Sequence, residues 1–163
     1  MSTQDKVRSR ERIRRIEDSV HDPYRERYKP KGPAYCPSCG AVYEDGRWQW
    51  KARPDHANEH VCPACRRIQD QQAAGYVTLQ GRFYDTHANE IVALLQHEEA
   101  QARAEHPLER FMSLERTDHK TVIRTTGVHL ARRLGDAIHH AYQGQLDIQY
   151  APDEFLVRIY WTR

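Results

Sequence analysis

The four cysteines of this chain fall into two pairs, each with two residues between its members. Cys36 and Cys39 form the first pair, and Cys62 and Cys65 form the second. Two thiolates at this spacing can bind one centre, and two such pairs supply the four ligands of a tetrahedral zinc ion. Because cysteine fills all four positions, none is left for a catalytic water. The pattern therefore predicts one structural zinc.

Other uses of the cysteines and of nearby histidines have to be weighed. A redox site needs a single C-x-x-C near a βαβ pattern, and two disulfides need a secreted protein; the sequence indicates neither. His56 and His60 have the spacing of one helical face, and they are alternative ligands if one cysteine is not used. Adjacent His139 and His140 point in different directions on a helix and cannot chelate together.

Motifs of enzymes are missing from the sequence. It contains no glycine-rich phosphate-binding loop, no G-x-S-x-G and no H-E-x-x-H. The four cysteines are committed to the metal, so none is free to act as a nucleophile. We therefore expect a protein that is not an enzyme and has no small-molecule substrate.

Charge is distributed unevenly along the 163 residues, although the net charge is only +2. Residues 1–68 carry 15 Lys and Arg against 10 Asp and Glu, whereas residues 69–163 carry 10 against 13. Basic residues concentrated in one half indicate a polyanionic partner. Residues 1–35 form an arm rich in arginine, which is either a solvated tail or an arm that becomes ordered on RNA.

Arginine and tryptophan side chains near the cysteines have the chemistry to bind phosphates and unpaired bases. The tryptophans have a second interpretation, in which they cover the metal site as a miniature core. The residues predicted to contact RNA are Arg8, Arg12 and Arg15 in the arm, Arg47, Trp48, Trp50, Lys51, Arg53, Arg66 and Arg67 around the cysteines, and Arg132 and Arg133 on a later helix.

These residues must be positioned by three predicted segments: a basic N-terminal arm (1–35), a zinc-ribbon module (36–72) and an α+β domain (73–163). In the module, residues 41–43 and 48–50 read as a hairpin turning at residues 44–46, and a short helix follows Cys65. In the α+β domain the apolar periodicity predicts the order β-α-β-β-α-β-β. Asp85 or Thr86 is the expected cap of its first helix.

This order is that of a split βαβ, ferredoxin-like layer with one extra hairpin strand, so the predicted fold class is α+β. The mean hydropathy of −0.91 is low. No apolar run approaches the ~20 residues that span a bilayer, and the first residues lack the apolar segment of a signal peptide. With reduced thiols, the expected location is the cytoplasm, with no membrane partner.

A resemblance to known families adds to this interpretation. The stretches that carry it are Cys36–Gly40, Arg47–Trp50, Cys62–Arg67, Gly75–Leu79, His106–Arg110 and Thr125–Arg133. From His21 onward the chain resembles a family of uncharacterised bacterial zinc-ribbon proteins of similar length. More remotely, it is similar to the amino-terminal part of the large-ribosomal-subunit export adaptor, the nonsense-mediated-decay-three family. The resemblance implies association with the ribosome or ribosomal RNA.

Together these features predict a non-enzymatic, zinc-containing RNA-binding protein associated with the ribosome or its precursors, in assembly, dormancy or quality control. Ribosomal proteins are possible further partners. The alternative is a zinc-stabilised protein–protein adaptor without nucleic-acid contact. The two hypotheses differ in their response to salt, because phosphate contacts release counterions and an apolar protein interface does not.

Overall fold

The computed structural model describes residues 21–163, so the predictions for Arg8, Arg12 and Arg15 lie outside the described residues. Two sheets organise this part of the chain: one has four short strands and the other has five strands of six residues each. The protein is therefore of the α+β class, as the sequence predicts.

The small sheet has the strand order β3-β2-β1-β4. Its strands are β1 (Ala34–Tyr35), β2 (Val42–Glu44), β3 (Arg47–Gln49) and β4 (Asn58–Glu59). Strands β2 and β3 form an antiparallel hairpin across Asp45 and Gly46, whose φ angles of 53° and 81° are both positive. Asp-Gly favours this two-residue turn, and its twist matches that of the strands. The predicted hairpin is present, with both strands one residue closer to the turn than the sequence indicates.

Two short helices accompany the small sheet: α1 (Pro23–Arg27) and α2 (Pro63–Asp70). The Asp22 side chain caps α1, and α1 packs against α2. Residues 21–35, assigned from the sequence to the arm, thus differ from the prediction, because they contribute α1 and β1 to the cysteine-containing module. The composition of residues 21–35 does not by itself predict β1, because this strand forms only by pairing with residues 42–43 and 58–59, which come later in the chain.

The large sheet has the strand order β6-β7-β5-β9-β8. Its strands are β5 (Gly75–Gln80), β6 (Phe111–Arg116), β7 (Lys120–Thr125), β8 (Gln145–Tyr150) and β9 (Val157–Thr162), and its helices are α3 (Arg82–Glu105) and α4 (Val128–Tyr142). The predicted element order β-α-β-β-α-β-β is confirmed. Strand β9 lies between β5 and β8 and runs parallel to β5.

This inner position of β9 follows from its composition. Val157, Ile159 and Trp161 are fully buried, whereas their partners on β8 are only half-buried. The more apolar strand of the hairpin gains more by lying in the interior of the sheet. In an order with β8 beside β5, those three side chains would lie at the sheet edge.

The main core lies between one face of the large sheet and the helices α3 and α4. Val77, Leu79 and Ile123 from the sheet meet Ile91 of α3 and Leu134 of α4, all fully buried. Alternation along each strand places these residues on one face. No helix among residues 21–163 is long and apolar enough to cross a membrane.

Helix α3 begins earlier than the sequence predicts, and the expected cap at Asp85 or Thr86 is wrong. The residue before the helix is Gly81, with a φ of +116° that glycine tolerates and other residues rarely adopt. The Arg163 carbonyl accepts hydrogen bonds from the amides of Phe83 and Tyr84, at 2.8 and 3.1 Å. A distant backbone group therefore satisfies the first turn, which local capping rules cannot predict.

Candidate metal centre and the adjacent cleft

The first cysteine pair lies in a tight turn directly after β1. The Cys36 amide donates to the Ala41 carbonyl, and the Gly40 amide donates to the Cys36 carbonyl, both at 2.8 Å. Gly40 has a φ of +83°, which closes the turn without steric cost. The turn brings the side chain of Cys39 back toward Cys36.

The second pair lies at the start of α2. Cys62 is the residue before the helix, Pro63 occupies its first turn, and the Cys62 sulfur accepts a hydrogen bond from the Cys65 amide at 3.4 Å. Proline suits this position because its missing N–H would have no partner in the helix. The Cys62 amide donates to the Cys36 sulfur at 3.3 Å, which joins the two turns.

The four sulfurs form one compact group. All lie within 4.8 Å of one another, and the sulfurs of Cys39 and Cys62 are 3.8 Å apart. A tetrahedral site with metal–sulfur bonds of about 2.3 Å has edges of about 3.8 Å. All four cysteines are free thiols. The donor set and its spacing therefore fit one bound metal ion, as predicted from the two C-x-x-C pairs.

Histidine does not contribute to this cluster. Among residues 21–163 the four cysteines are the only group found with the geometry of a metal site. The ring of His60 instead makes a 2.6 Å hydrogen bond to the Tyr28 carbonyl. The alternative in which His56 or His60 replaces a cysteine is therefore not supported by the geometry.

The close packing of four sulfurs separates their pKa values. Hydrogen bonds from Cys39 and Cys62 hold the pKa of Cys36 far below its usual value, whereas the contact with Cys36 raises the pKa values of Cys39 and Cys62. Contact with Cys36 raises the pKa of Cys65, but hydrogen bonds from Cys39, Cys62 and Arg110 outweigh it and lower this pKa to about 6. Without a metal the cluster thus favours thiolates at Cys36 and Cys65 and thiols at Cys39 and Cys62. A bound ion would displace the remaining protons, because the thiolate is the form that binds metal.

Arg110 is a residue of the site that the sequence analysis missed. Its guanidinium donates to the sulfurs of Cys62 and Cys65, at 3.3 and 3.1 Å. Burial opposes its charge, but the hydrogen bond to Cys65 and the neighbouring sulfurs raise the pKa of Arg110. The only signal in the sequence was the stretch His106–Arg110, which carried the resemblance but had no assigned role. With a divalent ion bound, Arg110 would offset part of the negative charge of four thiolates.

A cleft of about 750 Å³ lies beside the metal centre, between the small sheet and the C-terminal end of α3. The side chains that matter most for its chemistry are three cations (Arg25, Lys29 and Arg47), three aromatic residues (Tyr43, Trp48 and Trp50) and two carboxylates (Glu26 and Glu105). The cleft therefore combines aromatic surface with a small excess of positive charge.

The two tryptophans have different surroundings. Trp48 is half-buried and packs against the cysteine cluster, with its ring 5.4 Å from that of Tyr43. Trp50 is 40% exposed, and its indole N–H donates to the Arg103 carbonyl at 2.6 Å. Trp48 thus acts as part of the miniature core while it also lines the cleft. Trp50 is held at its N–H edge and is more exposed than Trp48.

Three of the predicted RNA contacts, Arg47, Trp48 and Trp50, are brought together in this cleft. Lys51 and Arg53 follow Trp50 but do not line it. Lys51 forms a 2.7 Å ion pair with Glu44, and the Arg53 guanidinium stacks 3.6 Å from the centre of the Tyr35 ring. Both side chains are exposed.

The prediction for Arg67 needs correction, because this side chain is only 4% exposed. It makes a 2.7 Å ion pair with Asp22, donates to the Gln72 carbonyl at 3.1 Å, and lies 4.3 Å from the Tyr24 ring centre. A guanidinium with these partners cannot reach a phosphate. The neighbouring Arg66 is half-buried and lies 5.1 Å from the centre of the Tyr28 ring.

Arg132 and Arg133 lie on α4, and both have carboxylate partners. Arg132 pairs with Asp136 at 3.1 Å, and Arg133 pairs with Glu98 of α3 at 2.7 Å. The structure therefore does not bring these two arginines together with the cleft, and the carboxylates reduce the positive charge of the predicted second basic patch. RNA contact by this pair stays a prediction.

Comparison of the chain with protein-family models, with curated proteins and with solved structures gives no match.

Proposed function

We propose that this protein is a non-enzymatic, zinc-containing RNA-binding protein that associates with the ribosome or its precursors in the cytoplasm. The observation that carries the proposal is the cleft beside the metal centre, where exposed cations and aromatic rings converge. The cysteine module is then a zinc ribbon, and the large sheet with its two helices is a ferredoxin-like layer that supports it.

Zinc is the ion that suits the donor set best. Four thiolates in tetrahedral array are a common structural zinc site, and such a site leaves no open coordination position for catalysis. The ion would fix the turn after β1 to the start of α2. Because β3 and α2 both border the cleft, through Arg47 and Pro63, the ion would also fix the shape of the cleft. Thiols that bind zinc need a reducing compartment, which supports the cytoplasm.

The cleft has the chemistry that single-stranded or looped RNA requires. Lys29 and Arg47 are exposed and can contact phosphates, while the exposed face of Trp50 can stack on an unpaired base. The hydrogen bond from Trp50 to the Arg103 carbonyl holds the ring in place before a ligand arrives. Less conformational freedom is then lost on binding.

Association with the ribosome is the part of the proposal supported by resemblance. The stretches around the two cysteine pairs and at His106–Arg110 resemble families whose implied partner is the ribosome or ribosomal RNA. Within the structure, these stretches supply the four sulfurs, Arg110 and part of the cleft wall. These stretches, unlike Gly75–Leu79 and Thr125–Arg133, therefore lie beside the proposed RNA site.

Sedimentation of a cell lysate on a sucrose gradient tests the proposal. Wild-type protein is expected to migrate with ribosomal subunits, 70S particles or their precursors, and treatment with ribonuclease is expected to release it. The variant Lys29→Gln/Arg47→Gln should shift toward the top of the gradient while it retains its metal. Arg82→Gln is the matched control. Arg82 is exposed and lies at the end of α3 that is opposite to the cleft, and this helix of 24 residues is about 36 Å long.

Two results would contradict the proposal. If wild-type protein stays at the top of the gradient at low salt, it does not bind ribosomal particles. If the cleft variant sediments like wild type, the cleft is not the contact. Co-sedimentation that withstands ribonuclease and high salt would favour the protein–protein adaptor.

A further inference from the structure

The large sheet has a second face, opposite to α3 and α4, which we call the outer face. Its residues alternate with the buried ones: Val77, Ile123 and Ile159 point to the core, and their strand neighbours point away. The outer-face residues used below are Tyr76, Lys120, Val122, Arg124, Arg158 and Tyr160. Each is half-buried or exposed, and none belongs to the buried core.

One row across the middle of the outer face places a tyrosine between two arginines. Tyr76 of β5 pairs with Arg124 of β7 on one side and with Arg158 of β9 on the other. The Arg158 guanidinium lies 5.5 Å from the centre of the Tyr76 ring. The row ends at Ser113 on β6 and Gln149 on β8, so it contains no carboxylate. Its charge is therefore positive throughout.

A second ring stands in the next row. Tyr160 pairs with Thr78, two residues along from the pairing of Tyr76 with Arg158. Strand spacing and rise per residue place the two tyrosines about 8 Å apart on the same face. The carboxylates of the outer face, Glu115 and Asp147, stand at the two ends of this second row, on the edge strands. Glu115 pairs with Val122 and Asp147 pairs with Tyr160, so the positive charge of the face is concentrated around Tyr76.

We propose that the outer face is a second nucleic-acid site, which binds single-stranded RNA by stacking one base on Tyr76 and one on Tyr160. Arg124 and Arg158 contact the phosphates of the same strand. Aromatic residues on an open sheet stack unpaired bases, whereas an A-form duplex does not present the faces of its bases. The ligand class rests on the proposed function, but the surface is separate from the cleft.

The composition of the outer face favours RNA over a protein partner. Arginine and tyrosine are common at protein interfaces too, but the fully buried centre of such an interface is predominantly apolar. Here the centre is an arginine–tyrosine–arginine row, and Val122 is the aliphatic residue among those named. The outer face also reaches the cysteine module, because the Arg124 guanidinium donates to the Gln71 side chain, beyond the end of α2, at 3.1 Å. A single-stranded RNA that extends beyond the outer face on this side would therefore reach the cysteine module.

Binding of a fluorescein-labelled oligouridine RNA of about ten nucleotides, followed by fluorescence anisotropy with the full chain, tests this inference. Tyr76→Leu and Tyr160→Leu should each weaken binding at least about fivefold, with the salt dependence unchanged, because stacking releases few ions. Arg124→Gln and Arg158→Gln should each lower the slope of log affinity against log salt by about 0.7, the value for one phosphate of a single strand.

Two controls accompany these variants. Arg82→Gln, on the helical side of the sheet, should bind as wild type does. Glu115→Gln removes a negative charge from the outer face and should strengthen binding. Circular dichroism and thermal unfolding should show that every variant keeps its fold, since none of the changed side chains lies in the buried core.

The results that would overturn this inference differ from those that would overturn the proposed function. If the tyrosine variants and both arginine variants bind the oligonucleotide like wild type, the outer face is not an RNA site. The same holds if wild-type protein does not bind it at low salt. The cleft is tested separately by gradient sedimentation of Lys29→Gln/Arg47→Gln. If the outer-face variants instead lose a protein partner, the face is a protein interface.

Discussion

Arginine residues around the cysteines have different surroundings, and these decide what each residue can do. Arg110 donates to two sulfurs of the metal centre, Arg67 is buried against Asp22, and Arg47 is exposed at the rim of the cleft. The first supports the metal site, the second supports the fold, and the third is available to a ligand. Changing them one at a time separates these roles.

Arg110→Met is expected to weaken metal retention without removing a ligand. The variant deletes the two hydrogen bonds to Cys62 and Cys65 and the positive charge beside four thiolates. Residues that support metal ligands in this way contribute about 10- to 100-fold to metal affinity. Extraction by a chromogenic zinc chelator should be faster by that factor. Arg116→Met is the control, because Arg116 is exposed and bonds to Asn89. Equal rates for the two variants would show that Arg110 does not support the site.

Arg67→Gln is expected to destabilise the protein strongly. It removes the closer of the two arginines that pair with the Asp22 carboxylate, which is only 10% exposed; the exposed Arg25 stays 3.9 Å away. Breaking a buried ion pair at one end costs about 3–5 kcal/mol. Urea unfolding should show this loss, whereas the neighbouring variant Arg66→Gln should change the free energy of unfolding by less than about 1 kcal/mol. An RNA-binding defect in Arg67→Gln without loss of stability would restore the original prediction for this residue.

At the scale of elements, helices and strands follow from the apolar periodicity. The buried residues Leu130, Leu134 and Ile138 of α4 are spaced as the sequence predicts, and burial alternates along β5, β7, β8 and β9. The sequence also predicts the cysteine cluster, because both turns are local. It does not predict the start of α3, whose cap is the distant Arg163 carbonyl. Partners that come from remote parts of the chain leave no local signal.

Gly127, before α4, illustrates such a remote partner. The buried Glu109 carboxylate accepts a hydrogen bond from the Leu130 amide at 3.1 Å, and a β-carbon on Gly127 would clash with that carboxylate. Gly127→Ala should therefore displace Glu109 and cost at least about 2 kcal/mol in the free energy of unfolding. Gly32→Ala is the control, since its β-carbon would have no neighbour within 4 Å. Denaturant titration that finds the two variants equally stable would contradict the arrangement at Glu109.

For the whole molecule, the important feature is how the cysteine module joins the large sheet and its helices. Arg110 bonds to the sulfurs, Leu108 packs on the cysteine cluster, and Trp50 bonds to the end of α3. The cleft therefore has walls from both halves of the chain. The charge asymmetry predicts a polyanion-binding half, but the cleft itself requires the return of residues 104–108 to the module. The sequence carries no local signal for that contact.

Loss of the metal should loosen one part of the molecule and leave the other intact. Cys39→Ser removes one of the four clustered sulfurs, so we expect it to release the zinc ion proposed at this site and to accelerate amide hydrogen exchange in β1–β4 and α2. The five-stranded sheet should keep its protection, because its core is separate from the cysteine cluster. Ser38→Ala should retain one zinc per chain. Uniform loss of protection throughout residues 21–163 would show that the two parts unfold together.

The measurement that tests the central claim most directly is the affinity of the purified, zinc-loaded protein for ribosomal RNA over a series of salt concentrations. We expect a steep fall in affinity with salt, and a slope reduced by about 0.7–0.9 for each cation removed in Lys29→Gln and Arg47→Gln. Trp50→Leu should lower affinity and leave the slope unchanged. An affinity that does not respond to salt, or cleft variants with the wild-type slope, would contradict RNA binding through the cleft.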